Sequence, residues 1–165
     1  MTPRAESESI VKVAEWAAER GSGVLVTLGL GSCVAIMLHD PDARAGAMAH
    51  ILLPSRSLSR DATNPVKFPE TAVPFLIERL RQLGAEPRRL VAKLAGGASM
   101  FTQLMTPGSL QMGERNIRAT RTALRAAAIP VTGEAVGGGS GRSVRFHVAD
   151  GRVEIRSVGT DAYVI

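Results

Sequence analysis

Val24-Leu25-Val26-Thr27-Leu28-Gly29-Leu30-Gly31-Ser32-Cys33-Val34-Ala35-Ile36-Met37-Leu38 is the stretch that decides how this chain folds. Val24-Leu25-Val26 reads as a strand. Gly29 and Gly31 then allow a tight turn that exposes backbone N–H groups, and Val34 to Leu38 reads as a second strand. His39-Asp40-Pro41-Asp42-Ala43-Arg44 supplies turn residues, and a third strand carrying His50 is expected over roughly 45–53.

A turn centred between Pro41 and Asp42 places Cys33 directly opposite His50. Opposed residues share a face, with Cβ atoms about 4.5–5.5 Å apart, close enough for a thiol to meet an imidazole. A slip of one residue would send the two to opposite faces. Cys33 is the only cysteine, so it forms no disulfide within the chain. Two readings stay open on these residues alone: a small buried hydrophobe, or a nucleophile served by His50 as base.

Four strings carry a resemblance. They are Val26 to Val34, Gly46 to Pro54, Lys93-Leu94-Ala95-Gly96-Gly97-Ala98-Ser99-Met100-Phe101 and Gly113-Glu114-Arg115-Asn116. In order and spacing, from about Val11 to Val158, they resemble the CheD family of chemoreceptor glutamine deamidases. The resemblance implies a Cys33 nucleophile, a His50 base and a Thr27 partner for the imidazole. It implies protein-glutamine deamidation of methyl-accepting chemotaxis receptors through a Cys thioester, with no cofactor and no metal. The same acyl-enzyme would extend to hydrolysis of glutamate methyl esters. The resemblance also implies association with the chemotaxis phosphatase CheC, so the alternative is a weakly catalytic or non-catalytic adaptor regulating a CheC-type phosphatase.

If Cys33 is the nucleophile, His50 takes its proton to give a thiolate–imidazolium pair, and backbone N–H groups around Gly31, Ser32 and Cys33 are placed to stabilise an oxyanion. Thr27 would set the imidazole tautomer, more weakly than an aspartate does. Two departures from the family pattern bear on substrate contacts: Ser57 to Pro74 lacks the expected aromatic–acidic pairing, for which Phe68 and Glu70 are the stand-ins, and the tail after Val158 is short.

At 165 residues, 45% hydrophobic, the chain suits a single domain over 10–165 behind a flexible stretch, 1–9. The expected class is α/β: packed, mixed, largely antiparallel sheets with flanking helices. The resemblance adds kinship with the cysteine-hydrolase catalytic domain of the cytotoxic necrotizing factor toxins. Aromatics make up only 4%, so the core must be built from aliphatic side chains and Met.

The net charge of +5 fits either a solvated basic surface or an acidic protein partner. Nucleic acid is not indicated, because no motif is present and the few aromatics do not interleave with the arginines. The N-terminus lacks a signal-peptide pattern, and the longest apolar stretch, Gly23 to Leu38, is too short to span a bilayer. A cytoplasmic protein is expected, which a lone thiol also suits.

Along the chain, Ile10 to Ala18 reads as strand or helix, and the resemblance favours strand. Val73, Leu76, Ile77, Leu80 and Leu83 mark one buried helical face, in a helix starting near Glu70 to Val73 because Pro74 belongs in a first turn, and ending at Gly84. A strand is expected from Arg89 to Ala95 and a patternless loop from Ser99 to Met112. A second helix is expected from Asn116 as N-cap to about Ala128, with Ile117, Leu124 and Ala128 facing inward and Arg118, Arg121 and Arg125 as a basic stripe. Gly137 to Gly141 forms a loop of the sort that borders sites, and Val144 to Ile155 a hairpin with a type I′ signal at Asp150-Gly151. Gly29 to Val34 lacks the third glycine and following helix of a dinucleotide fingerprint, and one Cys with three scattered His gives no zinc spacing. His39, in the turn, and His147, on a strand, are read as structural or exposed.

Overall fold

A computed structural model of the chain describes residues 6–99 and 111–165. Among these residues, ten strands and two α-helices follow in order: β1 Glu8–Ile10, β2 Trp16–Arg20, β3 Val24–Leu30, β4 Val34–Asp40, β5 Ala45–Ile51, α1 Pro69–Gln82, β6 Val91–Gly96, α2 Met112–Ala126, β7 Val131–Val136, β8 Arg142–His147, β9 Val153–Arg156 and β10 Tyr163–Val164. They form two five-stranded sheets, ordered β1-β3-β8-β9-β10 and β2-β5-β4-β6-β7. Both are mixed: β1 runs parallel to β3 and β6 parallel to β7, while the remaining pairs are antiparallel. The expected α/β class of packed, largely antiparallel sheets with flanking helices is what the chain adopts.

The layers follow from the period of two along each strand. In β4, Val34, Ile36 and Leu38 join α1 and α2 in one core, which includes Val73, Leu76, Leu80, Ile117 and Leu124. Ala35 and Met37 point the other way and pack with Met48, Leu25, Val144, Phe146 and Ile155 between the sheets. The second sheet is therefore covered on both faces, which is why β4 and β5 are buried along their whole length and apolar except at His39, Asp40 and His50. Aliphatic and Met side chains do fill most of both cores, as the composition requires.

Several boundaries differ from the sequence reading. Pairing begins at Glu8, inside the stretch expected to be flexible. Ile10 to Ala18 is neither one strand nor a helix. It contains the end of β1 and the start of β2, which lie in different sheets, joined by a turn in which Ala14 has φ +59.

Helix α1 starts at Pro69, so Pro74 falls inside the helix rather than in its first turn; burial of Ala72, Val73, Leu76 and Leu80 carries the helix past it. Gly84 ends α1 at φ +91, with Ala85 N–H donating to Leu80 O and Gly84 N–H to Arg81 O. Helix α2 starts at Met112, which puts Asn116 inside it, fully buried, and not at its N-cap. Ala128 lies beyond α2, exposed, at φ +57.

The β8–β9 connection spans Val148 to Gly151 with positive φ only at Gly151, so it is not a two-residue type I′ turn, which needs positive φ at both central positions. Most of the expected Ser99–Met112 loop lies outside the described residues.

Candidate active site

Asp40 sets the geometry of the hairpin that carries Cys33 and His50. Its carboxylate accepts from the N–H groups of Asp42 (3.0 Å), Ala43 (3.2 Å) and Glu86 (2.8 Å) and from the Arg89 guanidinium (3.1 Å). Thus held, Asp40 ends β4 as a buried strand residue paired with Ala45, and the turn is Pro41 to Arg44 rather than His39 to Arg44. Burial acts to raise the Asp40 pKa, but the Arg89 and backbone N–H bonds outweigh it and hold the value down to about 2.

Consequently His50 opposes Ala35, not Cys33. The expected register is off by two residues, and because the side-chain period is also two, Cys33 and His50 still share a face. They are diagonal rather than opposed, a relationship of about 7–8 Å between backbones. Cys33 is half-buried and packs against the cluster between the sheets.

Thr27 reaches the same space from the facing sheet, on β3, the side chain lying in register with Leu25. Its hydroxyl is 2.7 Å from the carbonyl of Val11 and 2.9 Å from His50 Nδ1. A hydroxyl has one hydrogen. The Val11 carbonyl can only accept, so that hydrogen goes to Val11, and Thr27 Oγ1 accepts from Nδ1–H. The Val11 carbonyl itself faces Nδ1 at 3.4 Å, which would set lone pair against lone pair if Nδ1 were bare. The neutral imidazole therefore carries its proton on Nδ1 and presents Nε2 as a base.

The environment favours uncharged forms of both groups. Burial raises the Cys33 thiol, partly offset by its own backbone N–H, and burial lowers the His50 imidazole against the opposing influence of the Val11 carbonyl and Glu15. Both shifts oppose the thiolate–imidazolium pair that the sequence reading expected.

The loop before Cys33 is held by its carbonyls. Gly31 O accepts from Ala98 N–H (2.9 Å), Cys33 O from Gly97 N–H (2.8 Å) and Ser32 O from Asn116 Nδ2 (2.9 Å). The N–H groups of Gly31, Ser32 and Cys33 donate to no other described residue. Gly29 makes the turn the sequence suggested, at φ +63 within an irregularity in β3 between Thr27 and Leu30, and this leaves Leu28 61% exposed beside Thr27. Gly31 has no positive φ.

Other expected site residues lie apart. Phe68 is fully buried in the core, away from any surface contact, and Glu70 pairs with exposed Arg56. His39 is buried in β4, its Nε2–H donating to Val148 O at 2.8 Å, and is not in the turn. His147 lies on β8 beside Glu6 and Glu154. Of the basic stripe, Arg118 pairs with Glu114 and Arg121 with Glu134. The Gly137–Gly141 loop borders the site, since Gly137 N–H donates to Gly96 O and Gly138 O accepts from Ser99 N–H.

The sequence reading missed the Val11 carbonyl, which belongs to a backbone crossing, and gave Asn116 the wrong role. Among the described residues, no group of three or more His, Cys, Asp or Glu side chains could hold a metal ion, and no helix is long and apolar enough to cross a membrane.

The fold and site define an α/β domain in which an imidazole on one sheet meets a threonine on the sheet facing it, with a lone thiol one residue before the neighbouring strand. The family described as CheD chemotactic sensory transduction matches residues 52–157. Three relatives align over nearly their full lengths. The probable chemoreceptor glutamine deamidase CheD of Moorella thermoacetica is 45% identical over 94% of this chain and 93% of its own. The chemoreceptor glutamine deamidase CheD of Thermotoga maritima is 41% identical over 92% and 93%, and the probable enzyme of Caldanaerobacter subterraneus is 40% identical over 90% and 92%. The chain belongs to the CheD family.

Proposed function

We propose that this protein deamidates glutamine side chains on the cytoplasmic domains of methyl-accepting chemoreceptors, with Cys33 as nucleophile, His50 as general base and Thr27 as the partner that fixes the imidazole. The observation that carries this reading is the hydrogen-bond chain Val11 O, Thr27 Oγ1, His50 Nδ1, which leaves Nε2 as the basic atom on the face shared with Cys33.

Sγ of Cys33 attacks the carboxamide carbon as Nε2 takes the thiol proton. The carbonyl oxygen becomes an oxyanion, received by the N–H groups of Ser32 and Cys33, which donate to no other described residue. Collapse breaks the C–N bond, and the imidazolium returns the proton to the leaving nitrogen, releasing ammonia and leaving a thioester. Water then adds to the thioester, giving a proton to His50, and expulsion of the thiolate yields glutamate and restores the thiol. A neutral Thr stabilises the imidazolium less than a carboxylate would, which gives a modest turnover suited to a regulatory modifier.

The test is mass spectrometry of a purified receptor cytoplasmic domain after incubation with the protein and with Cys33→Ala. Glutamine-to-glutamate conversion by the wild type alone is expected. Absence of conversion with either protein would turn the reading towards an adaptor acting on a CheC-type phosphatase.

A further inference from the structure

We infer that Asn116 is a positioning residue for the oxyanion donors: by holding the Ser32 carbonyl, it aims the Cys33 N–H at the developing negative charge. This rests on the cysteine-hydrolase reading above and assigns work to a residue outside its triad. Asn116 sits on α2, fully buried. Its Nδ2 lies 2.9 Å from Ser32 O and 3.2 Å from Leu52 O. Both neighbours are acceptors, so the amide orientation is fixed: its two hydrogens go one to each carbonyl. One side chain thus ties the residue before the nucleophile to the residue two beyond the base.

The consequence follows from peptide planarity. Ser32 C=O and Cys33 N–H belong to one peptide unit, and among the described residues no peptide bond is cis, so the two groups point in opposite directions. Fixing the carbonyl towards α2 fixes the N–H away from it. The preceding peptide is treated alike, because Ala98 N–H holds Gly31 O and so turns Ser32 N–H outward. Two successive N–H groups are left without an acceptor on any other described residue, their directions fixed before any substrate arrives. Only one of the two clamps is a side chain.

The seat of the clamp explains two of the sequence strings. A Cβ on Gly113 would lie 2.5 Å from the carbonyl oxygens of Gly97 and Ala98, and a Cβ on Gly97 would lie 2.4 Å from Ile117. The first turn of α2 rests directly on the Gly96–Gly97 turn, and that contact delivers Asn116 to the loop. Asn116 Oδ1 is buried with no hydrogen-bond partner among the described residues, where the amide acts only through its donors.

The experiment compares two reactions of Cys33 that need no receptor. Alkylation by iodoacetamide passes through no oxyanion; acylation by p-nitrophenyl acetate does. The ratio of acylation to alkylation rate constants is measured for wild type, Asn116→Ala and Asn116→Ser, with N-acetylcysteine as the reference thiol. The wild-type ratio is expected well above the reference, falling by about tenfold to a hundredfold in Asn116→Ala, with alkylation within about twofold of wild type. Asn116→Ser, which keeps a donor, is expected between them and stands in should the alanine variant not fold. A wild-type ratio equal to the reference, or a ratio unmoved by substitution, overturns the inference. Equal loss of both reactions also overturns it, by showing a purely structural role. Failure to deamidate receptors leaves this ratio untouched, so the two proposals fail separately.

Discussion

His50 Nδ1 and Thr27 Oγ1 lie 2.9 Å apart across two different sheets, and the hydroxyl's single hydrogen is already committed to the Val11 carbonyl. The imidazole can therefore only donate to Thr27. Thr27→Val keeps the shape and removes the acceptor, leaving a buried N–H that costs about 1–3 kcal/mol. Falling on the reacting state, that is a loss of roughly tenfold to a hundredfold in kcat. Thr27→Ser is expected to retain most activity. Equal rates for the serine and valine variants in a deamidation assay would remove the hydroxyl from the mechanism.

Cys33→Ala is expected to abolish deamidation while leaving the thermal unfolding profile close to that of wild type, because the side chain is small and only half-buried. Ammonia release and circular dichroism check the two halves of this statement.

The pH dependence follows from the burial of His50. Its folded pKa lies below the ordinary 6.5, chiefly through desolvation, and the base must be neutral to act. The acid limb of kcat/KM is expected to be centred below pH 6.5. A limb centred above 6.5 would show that the rate-determining base is not this histidine. The same shift acts on stability. The unfolded chain binds the proton more readily, so stability declines as pH drops through 6.5 towards the folded pKa.

Asp40 makes its contribution at the far end of the hairpin. With a folded pKa of about 2 against 3.8, its stabilisation is present above about pH 4 and is lost as pH falls towards 2. The shift corresponds to about 2 kcal/mol. Asp40→Asn is expected to cost about that much in urea unfolding at pH 7, with the difference from wild type shrinking on acidification. A pH-independent difference would mean that the charge contributes nothing.

Ala128 holds the left-handed position after α2 at φ +57, where Ile129 N–H donates to Leu124 O and Ala128 N–H to Arg125 O. An L-residue there is strained by about 1–2 kcal/mol, which glycine avoids at some cost in unfolded-chain entropy. Ala128→Gly is expected to raise stability by up to about 1 kcal/mol and Tm by about 2–4 °C. A lowered melting temperature would refute this.

The strands around Cys33 and His50, the face of α1 and the last hairpin were legible because their apolar periods are strong and locally determined. Register was not. Pro41 and Asp42 looked like the centre of the turn, but the buried Asp40 carboxylate moved that centre towards the C-terminus through bonds to Glu86 and Arg89, far away in sequence. The shared face survived only because the error was even. Asn116 illustrates the other limit. Asn is a good helix cap by propensity, and nothing local shows that tertiary contacts with Ser32 and Leu52 place it one turn further in.

The Val11 carbonyl belongs to the backbone, in the segment where the chain passes from one sheet to the other. No side-chain replacement deletes it, so an alanine scan would record position 11 as a packing residue and overlook the atom that orients the threonine. The proton on His50 is thus governed partly by the route of the chain, which is inherited with the topology and which single-residue variation leaves intact.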